Sequence, residues 1–290
     1  MTGVQTCALP IYMIIIKTDK EIQSMRAGGK IHARILRMVA ERAVVGVSTM
    51  ELDFYAEQLV RDAGAIPAFK GYKPDGQDGP YPATLCTSVN DEIVHGIPTV
   101  HRVLVEGDIV SIDLGIQYQG VFLDGAITIA VGTVSEKIKS FMNDTHTALM
   151  IGIEQARAGN TTGDIGFAIQ NYCGFTYKYG IVRDLVGHGV GKELHEEPQI
   201  PNYGKRGKGP MLQEGLVIAI EPMVNLGTYQ VRTLSDKWTV ITKDGENYFV
   251  AYARITNPRM YGHKIQPNQK FKAVTVVSDK TLLNLIFHGD

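Results

Sequence analysis

Asp108-Ile-Val-Ser-Ile-Asp113-Leu-Gly-Ile-Gln-Tyr-Gln-Gly120-Val-Phe-Leu-Asp124-Gly125 reads as two strand-forming runs around a turn. A hairpin centred on Tyr118 and Gln119 sets Asp113 directly opposite Asp124, with Cβ atoms about 5 Å apart on one face. A four-residue loop is expected, because Tyr-Gln lacks the positive-φ preference of a primed two-residue turn. Two carboxylates held so closely among Ile112, Leu114 and Leu123 repel, so the pair needs a cation or a shared proton. The ordinary alternative is two aspartates on a solvated strand edge.

Outward from this hairpin, helices and antiparallel strands come in blocks. Thr18-Asp-Lys-Glu21 fits a capping box, and Ile22, Met25, Ile31, Ile35 and Met38 follow at helical spacing, predicting a helix to about Val44. Ser48 and Glu51 repeat the box before a second helix carrying Leu52, Tyr55, Leu59 and Val60, ending at Gly64. A Gly/Pro/Asp-rich loop spans Gly71 to Pro82. Strands are expected at 84–89, 109–131, 182–186, 216–220 and 238–242, and helices at about 135–158 and 161–174. This block order argues an α+β fold rather than a parallel βαβ array.

Three further clusters carry chemistry. Gly187-His188-Gly-Val-Gly-Lys-Glu-Leu-His195 surrounds an imidazole with glycines that let other backbone approach. A spacing of seven is not the HExxH helix of zinc proteases, and either histidine alone also fits a structural role. Leu216-Val-Ile-Ala-Ile220-Glu221-Pro222 is a buried-strand pattern ending in a carboxylate, a ligand or general base unless the side chain turns to water. Asn90 to Pro98 is a polar turn leading to His95. Together these places suit a carboxylate-rich cation site with one or two imidazoles.

Composition bounds the rest. The 290 residues are 44% hydrophobic and 20% charged, which excludes disordered and fibrous classes, and a net charge of −1 provides no field for nucleic acid or anionic membrane. The longest nearly apolar run, Ala8 to Ile16, is short of the roughly 18–20 residues of a membrane span, and no Lys or Arg precedes Lys17. Cys7, Cys86 and Cys173 are an odd, scattered set that suits a reducing cytoplasm. Residues 1–12 lack periodicity and charge and resemble translated adapter sequence, with Met13 as the expected start of the domain. Residues 246–290 form a segment of net charge +3, with a strand-like run from Ala273 to Val277 and no catalytic motif.

In order along the chain, Val94-His95-Gly-Ile-Pro98, Ser111-Ile-Asp113-Leu-Gly with Asp124-Gly-Ala, Gly187-His188-Gly-Val-Gly with Leu194-His195-Glu-Glu-Pro, and Ile220-Glu221-Pro-Met resemble type I methionine aminopeptidases. The resemblance covers about Met13 to Gly245, taken as a catalytic domain at 13–245. It implies the pita-bread α+β fold, with pseudo-twofold antiparallel sheets under outer helices. It implies Asp113, Asp124, His188 and Glu221 as ligands of two divalent ions (Co, Mn, Fe or Zn), with Asp124 bridging, a metal-held water as nucleophile and Glu221 as proton acceptor. It further implies His195 at the developing oxyanion, His95 at the scissile amide, and Tyr81, Cys86 and Trp238 around a methionine side chain. Leu194 stands where the family has Phe.

One place departs from the family, whose second bridging glutamate lies in an Ala-x-x-Glu-His-Thr motif. Counting from Trp238 puts Tyr252 there, and aligning on Ala251 puts Arg254 there, while Glu246 falls about six positions early. The expectation is an impaired second metal site, Arg254 repelling the ions, and an altered last strand. The resemblance implies removal of the initiator methionine from nascent polypeptide N-termini when the second residue is small, by a cytoplasmic monomer working beside the ribosome, with no nucleic-acid motif and no membrane contact. The prolidase and aminopeptidase P branch and a non-catalytic pita-bread module that binds peptides are the alternatives.

Overall fold

The computed structural model describes residues 13–245 and 248–256. The leader at 1–12, Glu246 and the run from Ala273 to Val277 lie outside the described residues. Helix α1 (Asp19–Arg42) opens on the expected capping box: the Thr18 amide donates to Glu21 Oε2 at 2.7 Å and the Glu21 amide to Thr18 Oγ1 at 3.3 Å. Its buried face carries Ile22, Met25, Ile35, Leu36 and Val39, each stabilising by about 1.5–3 kcal/mol on burial. Helix α2 (Thr49–Asp62) begins in the same way at Ser48 and Glu51. After β1 (Ile66–Pro67) and the loop come β2 (Leu85–Val89), β3 (Glu92–Val94) and the long pair β4 (Ile109–Tyr118) and β5 (Val121–Ala130).

The hairpin register corrects the sequence expectation: the turn moves by one residue, and each aspartate's cross-strand partner therefore moves by two. Tyr118 pairs with Val121 across a two-residue turn in which Gln119 and Gly120 have φ of 50° and 78°. Gly120 takes the left-handed conformation without a Cβ clash, so the tight turn slides one residue past Tyr-Gln and no four-residue loop is needed. Asp113 therefore pairs with Ala126 and Asp124 with Gly115. The two aspartates are diagonal neighbours, still on one face because the strand period is two. Gly28 lets α1 settle on this hairpin, since a Cβ there would overlap the Leu123 side chain and lie 3.2 Å from Tyr118.

The second half repeats the plan of a capped helix pair over an antiparallel sheet. It comprises α3 (Glu136–Gln155), α4 (Thr162–Ile169) running into a π-helical turn (Gln170–Thr176), β6 (Gly180–Ile181), β7 (Gly187–Gly189) and β8 (Glu196–Ile200). Then follow β9 (Ile218–Ile220), β10 (Met223–Asn225), β11 (Val231–Thr233), β12 (Val240–Thr242), β13 (Phe249–Ala251) and β14 (Arg254–Thr256). No strand forms over 182–186. The Arg183 guanidinium leaves the sheet to stack 4.4 Å from the centre of the Tyr229 ring, and pairing resumes only at Gly187. Within the divergent segment a strand pair does form, β13 on β10 and β14 on β9.

Two four-stranded sheets meet at the centre: β1-β4-β2 with β5 on β4, and β14-β9-β7-β8. Ala126 and Ala253 join them by exchanging main-chain hydrogen bonds of 3.2 and 3.0 Å. Helix α1 covers β4 and β5, while α3 and α4 lie against β9, β13 and β8. Among the described residues no helix is long and apolar enough to cross a membrane.

Candidate metal centre and active site

A cavity of about 510 Å³ lies where the sheets meet, and all nine sequence-predicted site residues line it: Tyr81, Cys86, His95, Asp113, Asp124, His188, His195, Glu221 and Trp238. β4 and β5 bring in Asp113 and Asp124, β7 brings His188, and the end of β9 brings Glu221. The His188 ring is oriented by its own strand: Nδ1 lies 2.8 Å from the Gly189 carbonyl, which can only accept, so Nδ1 holds the proton. Nε2 is thereby left to face Asp124 Oδ2 at 3.4 Å and Glu221 Oε1 at 3.2 Å. The Glu221 carbonyl accepts from the Asn202 side chain at 2.6 Å, which fixes the strand end.

The electrostatics are those of crowded charge. Loss of water and the neighbouring Asp124 and Glu221 push the Asp113 carboxyl well above its ordinary range. Glu221 is raised by burial, against the pull of His188. Burial opposes the charged form of Asp124 too, but His188 and the more distant His195 hold its pKa below the usual value. Burial likewise opposes His188 protonation, and the two carboxylates overcome it, raising that pKa well above normal. Asp113 Oδ1, Asp124 Oδ1 and Glu221 Oε1 are sealed from solvent and accept no hydrogen bond. Orphaned acceptors of this kind are costly unless a cation meets them. Three carboxylates and an imidazole whose Nε2 would give up its proton to an incoming cation are a donor set for Mn, Fe, Co or Zn. Donor atoms of Asp124, His188 and His195 also lie within 4.8 Å of one another.

His195 sits in the loop between β7 and β8, and Glu196 braces that loop. Glu196 Oε1 accepts from the amides of Lys192 at 2.5 Å and Glu193 at 3.0 Å, and Oε2 pairs with the buried Lys17 ammonium. Burial and the charge of His188 lower the His195 pKa to about 4, so the ring is neutral at pH 7. The Tyr72 hydroxyl meets its Nδ1 at 2.8 Å. His95 follows β3 with a φ of 58°, a left-handed conformation that histidine tolerates at a turn. Its ring stands edge-on to Trp238 at 6.1 Å, and burial lowers its pKa.

The other wall is apolar. Phe69, Tyr81, Cys86, Leu194 and Trp238 pack into one buried cluster. Tyr81 and Trp238 meet edge to face at 5.1 Å, and the Tyr81 hydroxyl is shared by the carbonyls of Leu85 and Gly96, each at 3.0 Å. Cys86 pairs across the sheet with Asp113; burial and that carboxylate push its thiol well above the ordinary value, so it is a neutral wall group. Sequence reasoning missed Phe69 and Tyr72, which lie in or beside the loop where no periodicity marks them. It also missed buried Asp53, whose Oδ1 accepts from the amides of Thr84 and Leu85 at 2.8 Å and anchors the start of β2.

The last strand corrects a further expectation. Ala253 is paired with Ala126, which shares the face of Asp124, so the Ala253 methyl points toward the cluster. Tyr252 and Arg254 fall on the other face, toward α3, where the Tyr252 ring meets His146 at 5.3 Å. Arg254 acts electrostatically on His146 and Tyr252 there, and its strand partner is Ile220.

Residues 23–256 match metallopeptidase family M24, and the chain belongs to that family. It is 49% identical over 233 residues to the methionine aminopeptidase of Clostridium acetobutylicum, covering 80% of this chain and 90% of that one. Against methionine aminopeptidase 1 of Bacillus subtilis, identity is 45% over 234 residues, covering 81% and 91%. The crystal structure of methionine aminopeptidase from Thermotoga maritima superposes with a TM-score of 0.82 at 37% identity, covering 92% of this chain and 100% of that one. Prolidase from Pyrococcus horikoshii superposes with 0.64 at 25% identity, covering 84% and 61%. The fold is the pita-bread α+β architecture these structures share.

Proposed function

We propose that this metallopeptidase releases N-terminal methionine from peptides and nascent proteins, with Asp113, Asp124, His188 and Glu221 holding divalent metal. The observation that carries the reading is one cavity with two opposed walls: sealed, unpartnered carboxylates on one side and the Phe69, Tyr81, Cys86, Leu194 and Trp238 cluster on the other. An unbranched, polarisable thioether side chain suits an irregular aromatic slot of this kind. The names of the curated relatives agree.

Divalent metal bound there supplies positive charge that lowers the pKa of water and polarises a carbonyl. Glu221, its pKa raised by burial, accepts the proton of the attacking water. The Tyr72 hydroxyl, held protonated by burial, donates to His195 Nδ1 and leaves the proton on Nε2, which donates to the carbonyl oxygen as negative charge develops. His95, kept neutral, contacts the scissile amide and assists departure of the new N-terminus. The aromatic wall excludes water from the methionine side chain, and the preferred second residue, beside His95 and His195, is a small one. A cytoplasmic monomer acting beside the ribosome completes the proposal.

Incubation of the full chain with Met-Ala-Ser and Mn²⁺ or Co²⁺ tests the reading. Release of Met and Ala-Ser is expected. Cleavage of an Xaa-Pro dipeptide instead would move the assignment to the prolidase branch, which superposes less closely. Peptide binding without turnover would make the chain the non-catalytic module, which no feature of the site favours.

A further inference from the structure

His195 is held from two directions, and only one of them belongs to the cavity. The Tyr72 hydroxyl meets its Nδ1 at 2.8 Å and sets which way the ring faces. Where the ring sits depends on the backbone of the loop from Val190 to Glu196, which leaves β7 and returns as β8. Gly191 in this loop has a φ of 144°, and its carbonyl accepts from the Phe122 amide at 2.7 Å. Beyond Gly191 the bracing passes to one side chain: Glu196 Oε1 accepts from the amides of Lys192 and Glu193.

Glu196 is itself held from the segment that precedes α1. Its Oε2 pairs with the ammonium of Lys17, and the two side chains are 2% and 0% exposed. The Lys17 amide donates to the Gly215 carbonyl at 2.8 Å, and its Nζ donates to the Ile15 carbonyl at 3.1 Å. Room for the lysine stem exists because residue 191 is glycine: a Cβ there would overlap Lys17 Cε. A second pair, Lys192 Nζ on Glu21 Oε1 at 2.9 Å, crosses the same gap in the opposite sense nearer the surface, with the Lys192 side chain 50% exposed. An exposed pair of that kind contributes little, whereas removing one partner of a buried pair leaves an uncompensated charge. Glu196 could then reach water only by releasing the two amides it gathers.

We infer that Lys17 is a positioning residue for His195: through Glu196 it fixes the loop backbone, and so the place of the imidazole, without lining the cavity itself. The inference rests on His195 acting at the carbonyl, as proposed above, and deepens that reading by naming what sets its position. Displacing a catalytic group by about 1 Å costs on the order of 100-fold in rate. Phe69, Tyr81, Cys86 and Trp238 lie on other segments, so the loss falls mainly on kcat rather than KM.

Two measurements on the full chain test this. Hydrogen exchange of the metal-free protein reads the loop: Lys17→Met is expected to speed exchange of the Lys192 and Glu193 amides about tenfold or more, with β4 and β5 unchanged. Steady-state cleavage of Met-Ala-Ser with Mn²⁺ reads the consequence: kcat falls about 10- to 100-fold, and KM changes by less than about threefold. In a His195→Ala background the same substitution lowers kcat by less than about twofold, because residues acting as a unit are not additive. Loop exchange at the wild-type rate, or an equal kcat loss with and without His195, would overturn the inference. Should Lys17→Met fail to fold, Lys17→Gln, which keeps a neutral donor there, decides by the same readouts. No methionine release by the wild type would refute the proposed activity, and loop exchange would still decide whether Lys17 holds the loop.

Discussion

The two walls of the cavity obey opposite rules. Across the aromatic wall, Phe69, Tyr81, Cys86, Leu194 and Trp238 satisfy every requirement of an ordinary core: they are apolar, buried and in mutual contact. The facing wall breaks those requirements, with three carboxylates whose sealed oxygens accept nothing. A fold tolerates such a defect where an exchangeable group relieves it, so the charged wall identifies the chemistry and the aromatic wall sets what the chemistry acts on.

Removing the charged wall gives the largest effect. His188→Ala is expected to lower kcat for Met-Ala-Ser by about a thousandfold or more, because it withdraws the imidazole nitrogen that faces both Asp124 and Glu221. A difference between buried carboxylates comes next and is read by denaturant midpoint without metal. Asp53→Asn takes the charge from an acceptor of two buried amides and destabilises by about 2–3 kcal/mol. Asp113→Asn relieves repulsion with Asp124 and Glu221 and stabilises by about 1 kcal/mol. Equal losses at both positions would erase the contrast between a buried carboxylate with amide donors and one without.

On the aromatic side, Trp238→Ala is expected to reduce kcat/KM about 10- to 100-fold, chiefly through KM, since it deletes apolar contact that substrate and transition state share. Tyr72→Phe should lower kcat about tenfold with little change in KM, because it releases the His195 tautomer while keeping the ring. The smallest effect lies away from both walls. His146 has a pKa of about 4, below the ordinary histidine value of 6.5, owing to burial and then Arg254. Its neutral form therefore contributes stability that is present above pH 6.5 and is lost as pH falls through about 4. His146→Gln should make the acid loss of stability shallower by about one proton per molecule, measured as the slope of unfolding free energy against pH.

Much of the charged wall was legible in the sequence because it violates strand patterns: Asp113 and Asp124 interrupt apolar runs, Glu221 ends one, and glycines flank His188. The turn was read one residue early and the pairing of the aspartates therefore two positions away, since Gln119 gives no sign that it will accept a φ of 50° beside Gly120. Aromatic residues in a core and aromatic residues in a pocket carry the same signal, so Phe69 and Tyr72 stayed hidden. Asp53 reads as a solvent-facing helix position until its two amide donors arrive from elsewhere in the chain. Ala253 was invisible for a different reason: the length of the connection after Trp238, not any residue type, decides which side chain of the last strand looks inward.

The Gln119–Gly120 turn has a consequence for how this family can vary in length. Because side chains alternate along β4 and β5, lengthening or shortening the turn by one residue would rotate one aspartate out of the cavity and into the α1-covered layer, while a change of two would restore both. An odd change keeps both aspartates inward only where a bulge at the turn absorbs the extra residue. The turn works as a parity lock on the metal centre, although it touches no ligand itself.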